Sequence, residues 1–330
     1  MKFKSETFIG CLIGIALITL PLASQMASAR TEHNGHTESP MPASPVYSPA
    51  IPESVSFAGK KISLDPVDMA ERFDRELTAM CYTHGNTLLT IKRANRVFPQ
   101  IVPILKKQNM PVDLVYLAAI ESYLNPRAVS SAKAAGLWQF MPSTAREYGL
   151  EVNDDVDERY DIEKSTLAAC RYLRKAYEKY GNWESVAASY NGGMGRISNE
   201  LSAQQATSAY DLWLAEETMR YVFRLLAMKT IMEHPADYGY RLTPEQLYQP
   251  VSYKTFTVSG PVADWPQWAK DRGSDYRTLR EHNPWIRSKS LPNKTGKTYT
   301  VRLPEAGKHK ISNRKISVYN PDWVVTLSND

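Results

Sequence analysis

The stretch "LVYLAAIESYLNP", residues 114–126, decides how this chain is read. At about 100° per residue, Leu114, Leu117, Glu121 and Leu124 fall on one narrow helical stripe. The leucines should face a core, and a carboxylate stands in line with them. Asn125-Pro126 then stops the helix, because the residue before a proline is pushed out of the α region. Glu121 therefore sits near a helix C-terminus, against the negative end of the macrodipole and among apolar neighbours. Both influences disfavour the ionised form and raise the pKa. A carboxyl group kept protonated near neutral pH suits a general acid. Two ordinary readings compete: the side chain turns out to solvent, or it pairs with Arg127.

The surroundings favour the chemical reading. No acidic residue occurs between Ser122 and Arg146, so the local sequence offers Glu121 no second carboxylate. It offers small and polar groups instead: Ser130, Ser131, Gly136 and Gln139. "AAGLWQFMP" (134–142) combines close backbone approach, an indole, an amide and a thioether. These are materials for the wall of a sugar-binding groove, since rings lie against sugar faces and amides bond hydroxyl and acetamido groups.

Working outward, the chain from about Asp65 to Tyr238 reads as one all-α domain. "DPVDMAERFDRELTAM" (65–80) opens with an acid and a first-turn proline. The segment 87–108 is expected to be bent or divided by Pro99 and Pro103. Further helices are expected from "MPVDLV", from Pro142 to Gly149, over 161–181 and 182–193, and through "AEETMRYVFRLLAMKTIMEH" (215–234). After residue 240 the texture changes. "YKTFTVSG" (253–260) and "KTYTVRLP" (297–304) alternate β-branched and aromatic residues, hence strands, and two short helices are expected between them. The last segment, "HKISNRKISVYNPDWVV" (309–325), reads as further short strands.

Composition bounds the class. The 330 residues carry a net charge of +5 spread along the chain, which argues against a nucleic-acid binder and suits an anionic polymer or surface. Lys2 and Lys4, the apolar run "FIGCLIGIALITLPLA" (8–23) and Ala27-Ser28-Ala29 read as a signal peptide over 1–29, directing export. Phe8-Ile9-Gly10-Cys11 has the look of a lipoprotein box, but that box should follow the apolar run and here precedes it. Residues 30–58, rich in Pro and Ser, are expected to be a flexible tether. Cys81 and Cys170 could pair in an oxidising compartment or stay as buried thiols; no metal-ligand spacing is visible and no cofactor is expected.

"AAIESYLNPRAVSSAKAAGLWQFMPSTAREYGL" (118–150), "DIEKSTLAACRYL" (161–173) and "AASYNGGMGRI" (187–197) resemble the soluble-lytic-transglycosylase catalytic domain, most of all its D-type membrane-bound murein branch. The resemblance implies a mainly α architecture: a lysozyme-like all-α catalytic domain over 59–240, with its core at 111–238, acting on peptidoglycan glycan strands. It implies Glu121 as the sole acid/base, with Ser122 beside it in the Glu-Ser motif. Ser130 would contact the N-acetyl group, Gln139 and Met141 would line the groove, and Tyr190 and Asn191 would sit opposite Glu121. In "EETMRYV" (216–222), Tyr221 would shape the site and Glu217 would support it. The chain departs from the family pattern at Ser189 and Lys133, and the stretch from Gly195 to Trp213 is short, which would open one end of the groove.

Residues 250–306, within a C-terminal region 241–330, resemble a degenerate LysM module of small α+β type. "LREHNPWI" and "YTVRLP" carry that likeness, while the usual Gly-Asp-Thr-Leu start is replaced by "SGPVADWPQW". The expected reaction is non-hydrolytic cleavage with a 1,6-anhydromuramyl product, in the periplasm and against a membrane face. A goose-lysozyme-type hydrolase and a non-enzymatic peptidoglycan scaffold stay open as alternatives. Oligomeric state is not legible.

Overall fold

The computed structural model describes residues 48–294, 296–307 and 311–325. The expected signal peptide, Cys11 and most of the expected tether lie outside the described residues. The tether's last residues do not behave as one. Ser54–Phe57 (β1) pairs antiparallel with Lys60–Ser63 (β2), with Phe57 opposite Lys60. Ala58 and Gly59 turn the corner with φ of 50° and 84°, the twist a two-residue hairpin favours. Val55, Phe57 and Ile62 alternate with polar residues, so one hairpin face is buried on the helical core.

Eight helices follow. Val67–Tyr82 (α1) buries Phe73, Leu77 and Met80. His84–Lys107 (α2) runs on as one helix with Pro99 and Pro103 inside it. The two prolines are four apart, so both lie on one outward stripe. Phe98, Ile101, Val102 and Leu105 are buried on the opposite side and hold the helix together. After a 3-10 turn at Val112–Leu114 comes Val115–Ser122 (α3), then Pro142–Glu147 (α4). Ile162–Tyr180 (α5) starts at Asp161, whose carboxylate accepts from the Lys164 N–H, and stops at Gly181 with φ of 67°. Trp183–Gly192 (α6), Met194–Ala203 (α7) and Glu216–Glu233 (α8) complete the set. Helix α8 is central, packing against α1, α3 and α6.

The C-terminal region forms the expected strand–helix–helix–strand unit. Tyr253–Val258 (β3) pairs antiparallel with Tyr299–Pro304 (β4), and Trp265–Lys270 (α9) and Tyr276–His282 (α10) lie between them. The unit shares its core with the helical part: Ala135, Val156 and Tyr160 pack with Trp265, Leu279 and Trp285. Two backbone bonds seal the join, Asp157 N–H to Trp285 C=O and Arg287 N–H to Asp155 C=O, both 2.8 Å. The architecture is thus mainly α with a small α+β unit docked on it.

The tail departs from expectation. Among the described residues 311–325 holds two 3-10 turns, Ile311–Asn313 and Pro321–Trp323, and no strand. Its backbone is satisfied one group at a time: Tyr319 N–H by Asn95, Ser317 N–H by Gln249, Val325 N–H by the Leu242 carbonyl. Trp323, 3% exposed, donates its indole N–H to Met232 C=O at 2.7 Å and meets Phe98 edge-on. Single-site docking replaces a ladder because Pro321 cannot donate and the apolar alternation of 311–318 faces solvent or half-buried surface.

Among the described residues no helix is long and apolar enough to cross a membrane. Cys81 and Cys170 are both free and buried, and burial pushes each thiol up to about 11.

Candidate active site

Helix α3 is eight residues long, and seven of them are buried; Glu121 alone keeps partial exposure. The predicted stripe is realised differently from a single helix. Leu114 lies in the preceding 3-10 turn and Leu124 lies beyond the helix end, yet Leu114, Leu117 and Leu124 are all fully buried. The chain leaves α3 through two left-handed residues, Tyr123 and Leu124, with φ of 50° and 54°. Such pairs cost free energy in non-glycine residues. Fully burying Leu124, worth about 1.5–3 kcal/mol, offsets that cost.

Glu121 does not pair with Arg127. Its Oε1 accepts the Tyr221 hydroxyl at 2.6 Å, brought in from α8. Burial raises the carboxyl pKa to about 7, and the neighbouring Glu217 charge adds to the rise. The Tyr221 hydrogen bond and the Arg224 cation pull the other way. The sequence reading found no second carboxylate beside Glu121; the tertiary fold brings Glu217 into electrostatic range. Glu217 is held by Arg224 at 2.8 Å, and Arg224 also reaches Glu76 at 3.3 Å. Glu76, 2% exposed, takes Arg220 as a further partner.

Ser122 joins the end of α3 to the next loop. Its hydroxyl, which has one hydrogen to give, lies 3.0 Å from Ala118 C=O and 2.8 Å from Leu137 C=O. That loop needs glycine at 136, where φ is 80° and an added Cβ would stand 1.8 Å from the Arg159 carbonyl oxygen. Buried Arg159 is gripped by Asp157 through two bonds of 2.7 and 2.9 Å, and donates to the Lys133 and Phe140 carbonyls at 2.7 and 3.0 Å. Gln139, with φ of 48°, turns its amide back onto Gly136 C=O at 2.8 Å. Met141 stays exposed just before α4. Trp138 is not a groove wall. It is fully buried, with its indole N–H on Thr166 at 2.9 Å, because this loop turns its largest ring into the core.

Tyr190 reaches from α6 to donate to Trp138 C=O at 2.8 Å, close enough to Glu121 for that charge to act on it. Burial first, then Glu121, holds the Tyr190 and Tyr221 hydroxyls well above the usual phenol range, so both remain protonated donors. Asn191 accepts the Thr218 hydroxyl at 2.9 Å, linking α6 to α8. Ser130 is on an exposed turn and its Oγ accepts the Ala134 N–H at 3.0 Å, so no bond ties it to Glu121. The structure thus brings together Glu121, Tyr221, Tyr190 and Glu217, stitches Ser122, Gln139 and Asn191 into the frame around them, and leaves Ser130 and Met141 at the rim. Sequence reasoning missed Arg224, Glu76 and the Asp157–Arg159 pair. The one signal for the Asp157–Arg159 pair was "DERYD", a dense charge run at residues 157–161, and nothing local marked Arg224 or Glu76.

A mainly helical frame holding one half-buried, high-pKa carboxyl is the setting in which the comparisons fall. Residues 101–212 match the family described as Transglycosylase SLT domain, and residues 254–307 match the Soluble lytic transglycosylase C-terminal LysM-like domain. The two matched stretches follow one another in that order along the chain.

Among individual proteins, it is similar to membrane-bound lytic murein transglycosylase D of Escherichia coli. The two are 37% identical over 177 residues, covering 52% of this chain and 38% of that one. An Alteromonas protein described as a putative tributyltin chloride resistance protein is 32% identical over 117 residues, 35% of this chain and 56% of that one. The solved 70-kDa soluble lytic transglycosylase of Escherichia coli overlaps 42% of this chain and 24% of its own, at 23% identity and a TM-score of 0.35. The matched stretch thus spans well under two thirds of these relatives.

Proposed function

We propose that the chain is a peptidoglycan lytic transglycosylase with Glu121 as its single acid/base. The observation that carries this reading is the Glu121 carboxyl itself, raised to about 7 by burial and bonded to Tyr221, so that both protonation states are accessible near neutral pH. The other carboxylate in range, Glu217, is engaged by Arg224 and is poorly placed to act as a free nucleophile or base. Most glycoside hydrolases use two carboxylates; with one, the substrate must supply the second role.

In the proposed sequence, Glu121 donates its proton to the glycosidic oxygen between N-acetylmuramic acid and N-acetylglucosamine. The C1–O bond breaks as the muramyl acetamido oxygen stabilises C1. Ionised Glu121 then takes the proton of the same sugar's 6-hydroxyl, whose oxygen closes onto C1. The product is a 1,6-anhydromuramyl end, and no water is consumed. Closure within one ring system needs little further ordering of the reacting atoms. Tyr221 would orient the carboxylate, and Tyr190, Asn191, Gln139, Met141 and Ser130 would line the strand's path.

Export by residues 1–29, action in the periplasm, and glycan binding by the C-terminal unit belong to the same proposal. Mass spectrometry of products released from purified peptidoglycan tests it. Anhydro ends, one water lighter than hydrolysed ends, are expected. Hydrolysed ends would instead identify a goose-lysozyme-type hydrolase, and absence of any product a non-enzymatic scaffold.

A further inference from the structure

A cleft of about 380 Å³ lies between the helical part and the C-terminal unit. Arg93 and Arg96 of α2 line one side, and Trp285 and Arg302 of the C-terminal unit line the other. One wall is the segment Leu124–Arg127, which begins three residues after Glu121. Arg127 leads on into an adjoining recess of about 660 Å³, rimmed by Arg280 and Arg287.

The charge of this surface is unbalanced. Of the acids in the two recesses, Glu281 pairs with Arg277, and Asp161 caps α5 and lies 4.0 Å from Arg302. Among the described residues Arg93, Arg96, Arg127, Arg280 and Arg287 form no ion pair. Arg93 and Arg96 give one bond each to the Tyr123 and Gln249 carbonyls, which aims their guanidinium groups without neutralising them. Two buried donors, Arg280 Nε and Trp285 Nε1, have no hydrogen-bond partner. Tyr160 and Tyr276 back the cations, with Arg287 4.7 Å above the Tyr160 ring and Arg280 5.7 Å from that of Tyr276. Several guanidinium forks with unspent donors suit a ligand carrying more than one carboxylate.

We infer that this arginine cleft holds the free carboxylates of the stem peptides borne by the strand being cut. The inference rests on the function proposed above and adds a second recognition element to it. A glycan strand seated at Glu121 carries its acidic peptides beside it, and the cleft wall begins three residues past that glutamate. A lipid surface is disfavoured because the guanidinium groups line a recess between two units, which a flat membrane cannot enter. Occupancy would also brace Leu124–Arg127, the segment that terminates the left-handed exit of α3.

Calorimetry on the full chain tests this with N-acetylmuramyl-tetrapeptide and the same compound with its carboxyls amidated. The parent compound is expected to bind about tenfold or more tightly than the amidated one. The exposed double variant Arg127→Glu/Arg287→Glu should erase that difference, with unchanged circular dichroism, and Arg127→Ala should weaken it. The double variant should also lose any preference in kcat/KM for peptide-bearing strands over amidase-stripped strands. Equal binding of the two compounds, or a double variant that binds like the parent, overturns the inference. So does a loss confined to binding of phosphatidylglycerol vesicles, which would mark a membrane surface. Failure of the parent protein to cleave either strand would sink the proposed activity, while the calorimetric comparison would still judge the cleft.

Discussion

Tyr221 donates its hydroxyl proton to Glu121 Oε1 at 2.6 Å, linking α8 to the end of α3 across a hundred residues of chain. The bond favours the ionised carboxylate and opposes the burial that raises its pKa. Tyr221→Phe should therefore move the Glu121 titration above about 7. The corresponding limb of the pH–rate profile should shift toward higher pH, with kcat reduced about tenfold to a hundredfold as orientation is lost. A limb that stays in place would reduce Tyr221 to packing.

Glu121→Gln removes the transferable proton and keeps the volume. Cleavage should fall by at least about 10²–10⁴-fold, while folding and retention on purified peptidoglycan persist. Cell-wall zymography beside a sedimentation assay with the full chain checks both halves. The full chain is needed because the C-terminal unit shares its core with Ala135, Val156 and Tyr160. Substantial residual cleavage would place the acid elsewhere.

The same substitution has a stability signature. Glu121 titrates at about 7 folded against 4.5 unexposed to the fold, so between those values the native state binds the extra proton. That contribution to stability is complete below pH 4.5 and is lost as pH rises through about 7. Glu121→Gln should melt above the parent protein at pH 8 and close to it at pH 4.5, by roughly 2–4 °C for each kcal/mol recovered. Thermal melts at the two pH values decide it, and a gap that widens toward acid would contradict the burial argument.

Gly136→Ala should be severely destabilising. A Cβ there would meet the Arg159 carbonyl oxygen at 1.8 Å, and the position has φ of 80°. Arg159 cannot give way, being fixed by Asp157 and by the Lys133 and Phe140 carbonyls. A loss of more than about 3–4 kcal/mol in chemical denaturation is expected, with activity lost through displacement of the loop bonded to Ser122. A near-neutral result would show that the loop can move as a body.

Much of this was open to reading along the chain. Amphipathic periodicity, proline starts and glycine stops outlined α1, α5, α6 and α8, because each signal acts within a turn or two of where it is written. Glu121 stood out for the same reason, as a charge set among leucines that must be buried. The readings that failed were those decided by distant partners. Pro103 inside α2 is tolerated because packing holds the helix, Trp138 turns inward to Thr166, and the tail finds Asn95, Gln249 and Met232 in place of a sheet.

The amino-acid order by itself determined most of the helices, the strand–helix–helix–strand unit and the presence of an acid near the end of α3. Only the tertiary structure decided what that acid is. Tyr221, Arg224 and Glu217 lie about a hundred residues further along the chain and reach Glu121 only once α8 packs against α3. Periodicity reports which way a side chain faces within one helix. The proton affinity of a carboxyl depends on desolvation and on charges and donors assembled from several helices, and no local pattern encodes that assembly.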